Sequence, residues 1–264
     1  MNRLLLFVLI IAFACNGKKK EPEVEKNLIP FTLVKTFPHD DKAFTQGLTV
    51  NQGKLYESTG QYNAWIAEVE ITTGVQEKKI LLDKKYFGEG ITILNNKIYQ
   101  LTWQSKIGFV YDLKTFQKLT EFQYEHEGWG ITHNGANLIV SDGTEKLHLL
   151  DTVTLKETST LVVNENGVKR DQLNELEFIE GYIYANQWQT NYIFKIDPAT
   201  GNVVGKMDVS SLANRIAQMS PQADVLNGIA YEQKSKTILI TGKYWPAMFA
   251  LRFQNTTQAP VVAP

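Results

Sequence analysis

The sequence lacks several features that would define common protein classes. Cys15 is its only cysteine, so the rest of the chain contains no intramolecular disulfide and no cysteine-based metal site. The 27 Lys and Arg nearly balance the 28 Asp and Glu, which gives no net charge to attract nucleic acid. The four histidines lack close paired spacing, and no phosphate-binding glycine loop occurs. The sequence therefore predicts no nucleic-acid partner and gives little support to a zinc mechanism.

Only one long hydrophobic run is present, LLLFVLIIAFA at residues 4–14, and it is too short to cross a bilayer as a helix. It follows Arg3 and is typical of a signal peptide, residues 1–14. The small residues before Cys15 resemble a bacterial lipoprotein cleavage box, and a plain secretory signal with an incidental cysteine is the alternative. We therefore expect an exported bacterial lipoprotein, facing the periplasm or cell surface and touching the membrane only through a lipid on Cys15.

Polarity divides the remaining chain into three parts. Residues 15–28 are charged and cannot bury enough apolar surface to fold alone, which predicts a flexible tether. Residues 29–254 carry alternating apolar patterns and form the predicted folded domain, which we expect to be monomeric. Residues 255–264 are expected to be a loose C-terminal tail.

What the chain does contain is a repeat of about forty residues. Each unit has a polar opening, an alternating strand, a turn rich in Asn or Gly and a second strand. The five units cover 44–59, 87–102, 127–142, 173–187 and 225–242. Four short strands per unit are what β-propeller blades require. The sequence therefore predicts an all-β fold, a five-bladed β-propeller.

Two segments lie outside the repeat. Strand-like residues 28–37 have no unit of their own, so we predict that they complete the last blade by pairing with 244–253. Residues 210–220 have apolar positions at helical spacing behind a Ser cap and end before Pro221, which predicts one short helical insertion.

Propeller geometry predicts where polar side chains meet. The first strand of each blade lines the axis, and loops at one end form the usual ligand face. The residues that open the first strands should therefore converge. They are Gln46, Glu89, Trp129, Asn174 and Asn227. A second set returns to the same end about fourteen residues later. It consists of Trp103, Asp142, Trp188 and Lys243.

Seven short motifs occur in fixed order across residues 35–253: FTQGL, YFGEGIT, LTWQ, EGWGIT, LNELE, NQW and GKYWP. Together they closely resemble the plant and bacterial glutaminyl-peptide cyclotransferases, also called glutamine cyclotransferases. That family is known as five-bladed propellers. The resemblance implies conversion of an N-terminal glutamine of a peptide or protein into pyroglutamate, with release of ammonia and without a cofactor. A structural calcium ion elsewhere in the ring stays open.

The resemblance also implies roles for individual residues. Glu89 would be the acid/base, Gln46, Asn174 and Lys243 the polar substrate contacts, and Trp103, Trp129 and Trp188 the pocket walls. Aromatic walls would dry the pocket and raise the pKa of Glu89 toward the working range. Gly88 and Gly90 are expected to let the substrate approach the backbone. Taken alone, Glu89 fits equally well as a loop cap or a partner of Lys84 or Lys85.

Two other functions fit a propeller. Lactonase-like propellers bind calcium through axial oxygen ligands, and Glu89, Asn174, Asn227 and Asp142 supply a comparable set. A non-catalytic binding propeller is the third interpretation, because fold alone does not settle function. Both remain alternatives to the cyclotransferase.

Overall fold

The structure is a computed structural model that describes residues 27–61 and 63–254. The predicted signal peptide, Cys15, most of the predicted tether, Tyr62 and the predicted tail lie outside the described residues. Among the residues described, no helix has the length and apolar character that a membrane crossing requires.

Five four-stranded antiparallel sheets form the blades of a propeller, as predicted. The first strand of the chain, β1 (Phe31–Pro38), belongs to the last blade. Blade 1 contains β2 (Thr45–Asn51), β3 (Lys54–Thr59), β4 (Trp65–Val69) and β5 (Gln76–Leu81). Blade 2 contains β6 (Gly88–Leu94), β7 (Lys97–Thr102), β8 (Ile107–Asp112) and β9 (Lys118–Gln123). Blade 3 contains β10 (Ile131–His133), β11 (Asn137–Ser141), β12 (Lys146–Asp151) and β13 (Glu157–Val162).

The second half of the chain forms the remaining blades. After a hairpin of β14 (Asn164–Glu165) and β15 (Val168–Lys169), blade 4 contains β16 (Leu173–Ile179), β17 (Tyr182–Gln187), β18 (Tyr192–Ile196) and β19 (Val203–Asp208). The helix α1 (Ser210–Met219) leads to blade 5, made of β20 (Leu226–Glu232), β21 (Thr237–Gly242), β22 (Ala247–Phe253) and β1. The hairpin β14–β15 was not predicted from the sequence.

The first strands of the five blades surround the axis. β2 contacts β6 and β20, β10 contacts β6 and β16, and β16 contacts β20, so the ring is closed. Five hydrophobic clusters fill the space between neighbouring blades. Trp65 and Trp245 are both buried in these clusters, as expected for core residues. Burial of each large apolar side chain contributes about 1.5–3 kcal/mol, which holds adjacent blades together.

The N-terminal strand closes the ring, which confirms the prediction. β1 pairs antiparallel with β22 from Phe31 opposite Phe253 to Pro38 opposite Ala247. Just before β1, Leu28 bridges Lys206 in β19, and the Ile29 amide donates a hydrogen bond to the Lys206 carbonyl at 2.8 Å. The segment before β1 therefore links blade 4 to blade 5.

The helical insertion lies where it was predicted, although its cap differs. α1 buries Leu212 and Ile216 and ends before Pro221. The predicted Ser cap is wrong: the residue before the helix is Val209, which makes no side-chain cap. Instead the Asp208 carboxylate accepts a hydrogen bond from the Ser210 amide at 2.9 Å. That carboxylate satisfies one of the amides that a helix start leaves unpaired.

Candidate active site

A small pocket opens at one end of the propeller axis, with a volume of about 190 Å³. It contains all seven residues that the sequence predicted for the site, and two phenylalanines that were not predicted. The lining is Phe44, Gln46, Phe87, Glu89, Trp103, Trp129, Asn174, Trp188 and Lys243. The polar members Gln46, Glu89, Asn174 and Lys243 are buried, while the rings are partly exposed. The pocket therefore has a polar floor and aromatic walls.

A larger cavity of about 1520 Å³ lies at the other ends of the first strands. It is lined mainly by the turns that follow those strands, for example Asn95 and Asn96 after β6. It contains none of the predicted site residues. We assign the site to the smaller pocket because size alone does not define a binding site, whereas convergent polar groups do.

β-Bulges place the floor residues. The register between the first two strands shifts at Thr45/Gly47 in blade 1, Gly88/Ile91 in blade 2, Leu173/Leu176 in blade 4 and Leu226/Ile229 in blade 5. An extra residue in one strand bends it and re-aims a side chain. Gln46, Glu89, Asn174 and Asn227 each lie within one of these shifts. The repeated bulge explains why the polar residues converge.

The glycines beside Glu89 have a different function from the one predicted. A Cβ atom on Gly90 would lie 2.7 Å from both the Trp129 carbonyl oxygen and the Ile131 amide nitrogen. The Gly90 amide also donates to that carbonyl at 2.7 Å. On Gly88 a Cβ would clash with the Thr59 carbonyl oxygen. The space is thus filled by neighbouring strands, so the prediction that these glycines admit the substrate is wrong.

Glu89 is a buried carboxyl group, and its side chain has no hydrogen-bond partner among the described residues. Burial raises its pKa well above the ordinary value, the Lys243 ammonium opposes this, and the Glu127 carboxylate adds to it. The pKa of Lys243 is lowered by burial, against the charges of Glu89 and Asp224. Lys85, one alternative partner for Glu89, instead pairs with Asp83 at 3.6 Å. The raised pKa therefore suits the Glu89 carboxyl group to bind and release a proton.

The Gln46 side chain has a fixed orientation. Asn227 donates one N–H to the Thr45 carbonyl oxygen at 3.0 Å and another to Gln46 Oε1 at 3.1 Å. A backbone carbonyl only accepts, so the Asn227 amide cannot be reversed. Since Oε1 of Gln46 is already bound, its amide nitrogen is the group that it offers to the pocket. Asn227 thus lies behind the pocket and orients Gln46.

Asn174 presents the complementary group. Its Oδ1 is buried and has no hydrogen-bond partner among the described residues. A buried acceptor without a partner is costly, so such a group is expected to bind a donor from a ligand. Its backbone carbonyl is held by the Ser141 hydroxyl at 2.6 Å. The pocket floor therefore offers a donor at Gln46 and an acceptor at Asn174.

One carboxylate that the sequence analysis missed holds two of the walls. Glu127 Oε2 accepts hydrogen bonds from the indole N–H groups of Trp103 at 2.6 Å and Trp129 at 3.0 Å. Trp129 in turn contacts Trp188 edge-on, with ring centroids 5.7 Å apart. Phe87 contacts Trp103 at 5.6 Å. Glu127 falls inside the motif EGWGIT, but nothing in the spacing shows that it binds indoles.

The second set of predicted residues is only partly in the pocket. Trp103, Trp188 and Lys243 line it, whereas Asp142 does not. The Asp142 carboxylate binds His148 at 3.1 Å and the Thr144 hydroxyl at 2.6 Å. Asn227 hydrogen-bonds to Gln46 from behind the pocket, and Asp142 hydrogen-bonds to residues of blade 3. The four predicted oxygen ligands for calcium therefore do not meet at one site.

The fold and the pocket define a propeller enzyme with one buried carboxyl group at the end of its axis. The sequence model of the glutamine cyclotransferase family matches residues 5–253. A glutaminyl-peptide cyclotransferase of Arabidopsis thaliana is 37% identical over 229 residues, which cover 85% of this chain and 72% of the relative. The crystal structure of Myxococcus xanthus glutaminyl cyclase superposes with a TM-score of 0.82 at 34% identity, covering 86% of this chain and 98% of that one. The chain belongs to the glutamine cyclotransferase family.

Proposed function

We propose that this chain, as a glutaminyl-peptide cyclotransferase, closes the N-terminal glutamine of a peptide or protein into pyroglutamate and uses Glu89 to carry the proton. The observation that carries the proposal is a buried carboxyl group with a raised pKa in a pocket walled by indoles. The pocket volume of about 190 Å³ suits one side chain and its N-terminus rather than a folded surface. The rest of the peptide would extend into solvent.

The reaction needs little beyond proton transfer. The α-amino nitrogen attacks the carbon of the side-chain amide within the same residue, so proximity is largely supplied by the substrate. The amine attacks in its neutral form, which its ordinary pKa of about 8 leaves accessible, and its nitrogen loses one proton as the new bond to carbon forms. A carboxyl group whose pKa is raised by burial exchanges a proton with that amine at little energetic cost. Glu89 is suited to accept this proton.

The second half of the reaction returns the proton. Attack forms a tetrahedral carbon that bears an oxyanion and the former amide nitrogen. Glu89 then donates its proton to that nitrogen, the bond to carbon breaks, and ammonia leaves. No water is consumed, because the α-amine is the nucleophile. One carboxyl group therefore serves first as base and then as acid.

Three floor residues supply the groups that the oxyanion and the substrate nitrogens require. The amide nitrogen of Gln46, fixed by Asn227, is a donor suited to the developing oxyanion. Asn174 Oδ1 is an acceptor suited to an N–H of the substrate. Lys243, which shares the pocket with Glu89, adds a second donor. We assign stabilisation of the oxyanion to Gln46 and Lys243, and orientation of the substrate to Asn174.

The test is ammonia release from a glutamine-initiated dipeptide. Glu89→Gln keeps the shape but removes the transferable proton, and we expect the rate to fall about 10²–10⁴-fold. Glu177→Gln is a matched control, since Glu177 is also buried but lines the opposite cavity. We expect this control to retain activity. Equal rates for wild type and Glu89→Gln would refute the role, and peptide binding without ammonia release in wild type would indicate a non-catalytic binder.

We also propose that the chain is exported and anchored through a lipid on Cys15. Support comes from the apolar run at 4–14 and the small residues that precede the sole cysteine. When the gene is expressed in a bacterium, we expect the protein in the membrane fraction and Cys15→Ser in the soluble fraction. Equal membrane association of both forms would contradict the anchor.

A further inference from the structure

Three ionisable side chains meet on blade 3, outside the pocket. His126 lies between β9 and β10, His148 in β12 and Glu157 at the start of β13. One ligand atom from each lies within 4.8 Å of the others. The two imidazole rings stack with centroids 3.6 Å apart, and the side chains of His126 and His148 are 10% and 8% exposed. We call these three residues the blade 3 cluster.

The tautomer of His126 follows from its hydrogen bond. Its Nδ1 lies 2.6 Å from the backbone carbonyl oxygen of Glu127, which only accepts. Nδ1 must therefore carry the hydrogen, and the lone pair of a neutral ring is on Nε2. The Nε2 atom of His126 is buried without a hydrogen-bond partner among the described residues, 3.8 Å from Glu157 Oε2.

His148 is oriented in the same way by a carboxylate. Its Nε2 lies 3.1 Å from Asp142 Oδ2. The same carboxylate accepts a hydrogen bond from the Thr144 hydroxyl at 2.6 Å. A carboxylate only accepts, so Nε2 of His148 carries the hydrogen. The other nitrogen, Nδ1, faces Glu157 Oε2 at 3.1 Å.

Glu157 Oε2 faces two ring nitrogens, His148 Nδ1 at 3.1 Å and His126 Nε2 at 3.8 Å. A lone pair on either nitrogen would repel the carboxylate oxygen. A cation between the three atoms removes the repulsion. A proton on His148 serves one nitrogen only, whereas a metal ion serves both nitrogens and the carboxylate.

We propose that His126 Nε2, His148 Nδ1 and Glu157 form a binding site for a divalent transition metal of the Zn²⁺, Ni²⁺ or Cu²⁺ type. Two imidazoles and one carboxylate suit these ions better than Ca²⁺ or Mg²⁺. The Glu127 carbonyl and the Asp142 carboxylate hold the far nitrogen of each ring, as outer partners do in known sites. The stacked rings must splay slightly at the Glu157 edge to share one ion.

The site is built to stabilise the wall of the pocket. The Glu127 carbonyl fixes His126, and the Glu127 side chain holds Trp103 and Trp129. A metal ion bound to the blade 3 cluster would therefore link two parts of the structure. It would hold the β9–β10 connection, which carries His126, against strands β12 and β13. None of the three residues lines the pocket, so we expect the effect of the ion to be on stability.

The experiment measures metal binding to the untagged, chelator-treated full chain by calorimetry, with Zn²⁺ as the probe and Mg²⁺ as a comparison. We expect one equivalent of Zn²⁺ to bind, a rise in the midpoint of thermal unfolding, and no response to Mg²⁺. His126→Gln and Glu157→Gln should each weaken Zn²⁺ binding at least about 10-fold. His133→Gln is the matched control and should bind as wild type does.

Three outcomes would overturn the proposal. One is the absence of Zn²⁺ binding, with stability responding only to acidification, which would show that a proton alone fills the cluster. Another is Zn²⁺ binding that survives His126→Gln and Glu157→Gln. The third is loss of binding in His133→Gln. Glu157 is 39% exposed, so Glu157→Gln is expected to fold, and its circular dichroism spectrum verifies this.

Discussion

Two charged neighbours act on Glu89 in opposite directions. Burial is the largest cause of its raised pKa, the Lys243 charge lowers that pKa, and the Glu127 charge raises it. Glu89, Glu127 and Lys243 are brought together by tertiary structure, since they come from β6, the β9–β10 connection and the β21–β22 connection. The working pKa of the carboxyl group is thus set by a balance of residues from three parts of the chain.

This balance predicts opposite shifts in the pH profile of kcat/KM. The rate rises as Glu89 ionises, so the acidic limb follows its pKa. Lys243→Met removes a charge that lowers the pKa and should move the acidic limb to higher pH. Glu127→Gln removes a charge that raises it and should move the limb to lower pH. The midpoints, rather than the rates, are compared, because both variants also lower activity. Shifts of the same sign would contradict the electrostatic explanation.

The residues of the site differ in how far the sequence reveals them. Gln46, Glu89 and Asn174 occupy the same place in the first, second and fourth repeats, so their convergence was predictable from the period alone. Glu127 and the pair His126 and His148 were not, because their partners are fixed by strand pairing and loop geometry. Phe44 and Phe87 precede the repeat positions that were aligned, and nothing in the spacing separates them from core aromatics.

At the scale of strands, glycine sets how closely the blades approach the axis. Gly90 lies against Trp129 and Gly130 of the next blade, and a Cβ on Gly130 would meet the backbone of Asn174. Close backbone contact therefore passes from blade 2 to blade 3 to blade 4. The sequence placed these glycines correctly at the strand openings, but it did not show that a neighbouring strand fills the space.

Gly90→Ala tests this packing. The added methyl group would lie 2.7 Å from two backbone atoms of blade 3, which cannot move without opening the ring. We expect a loss of at least about 2–3 kcal/mol in the free energy of unfolding, of the size seen for overpacked cores. Gly135→Ala is the control: it has open space and a positive φ of 90°, and should cost about 1 kcal/mol. Urea unfolding measures both, and equal losses would contradict the contact.

At the scale of the whole molecule, acidic groups are buried around the axis. Glu175 accepts amide hydrogen bonds from Leu48 at 3.2 Å and Ile229 at 2.8 Å, and so joins three blades. Burial raises its pKa well above the ordinary value. Burial likewise raises the pKa of Glu177 to about 8, against a hydrogen bond from the Tyr231 amide. Burial near the axis thus favours the protonated form of both carboxyl groups.

A carboxyl group with a raised pKa binds its proton more tightly in the folded state. Its contribution to stability is complete below the ordinary pKa of about 4.5 and is lost as pH rises toward the folded value, about 8 for Glu177. We expect the free energy of unfolding, measured in urea, to fall by up to about 1.4 kcal/mol per pH unit for each such group. Glu177→Gln should show a smaller fall between pH 5 and pH 8. An unchanged slope would contradict a raised pKa at this position.

The order in which the ring is assembled follows from its closing strand. Of the strands between residues 27 and 254, β1 is made first and its partner β22 last, with Phe31 opposite Phe253. Contacts between such distant segments form slowly, because the loop between them must first be closed. A nascent chain therefore keeps β1 without its sheet partner until β22 has been made. Premature termination anywhere before β22 would leave the propeller open, so the ring can close only on a polypeptide that contains both strands.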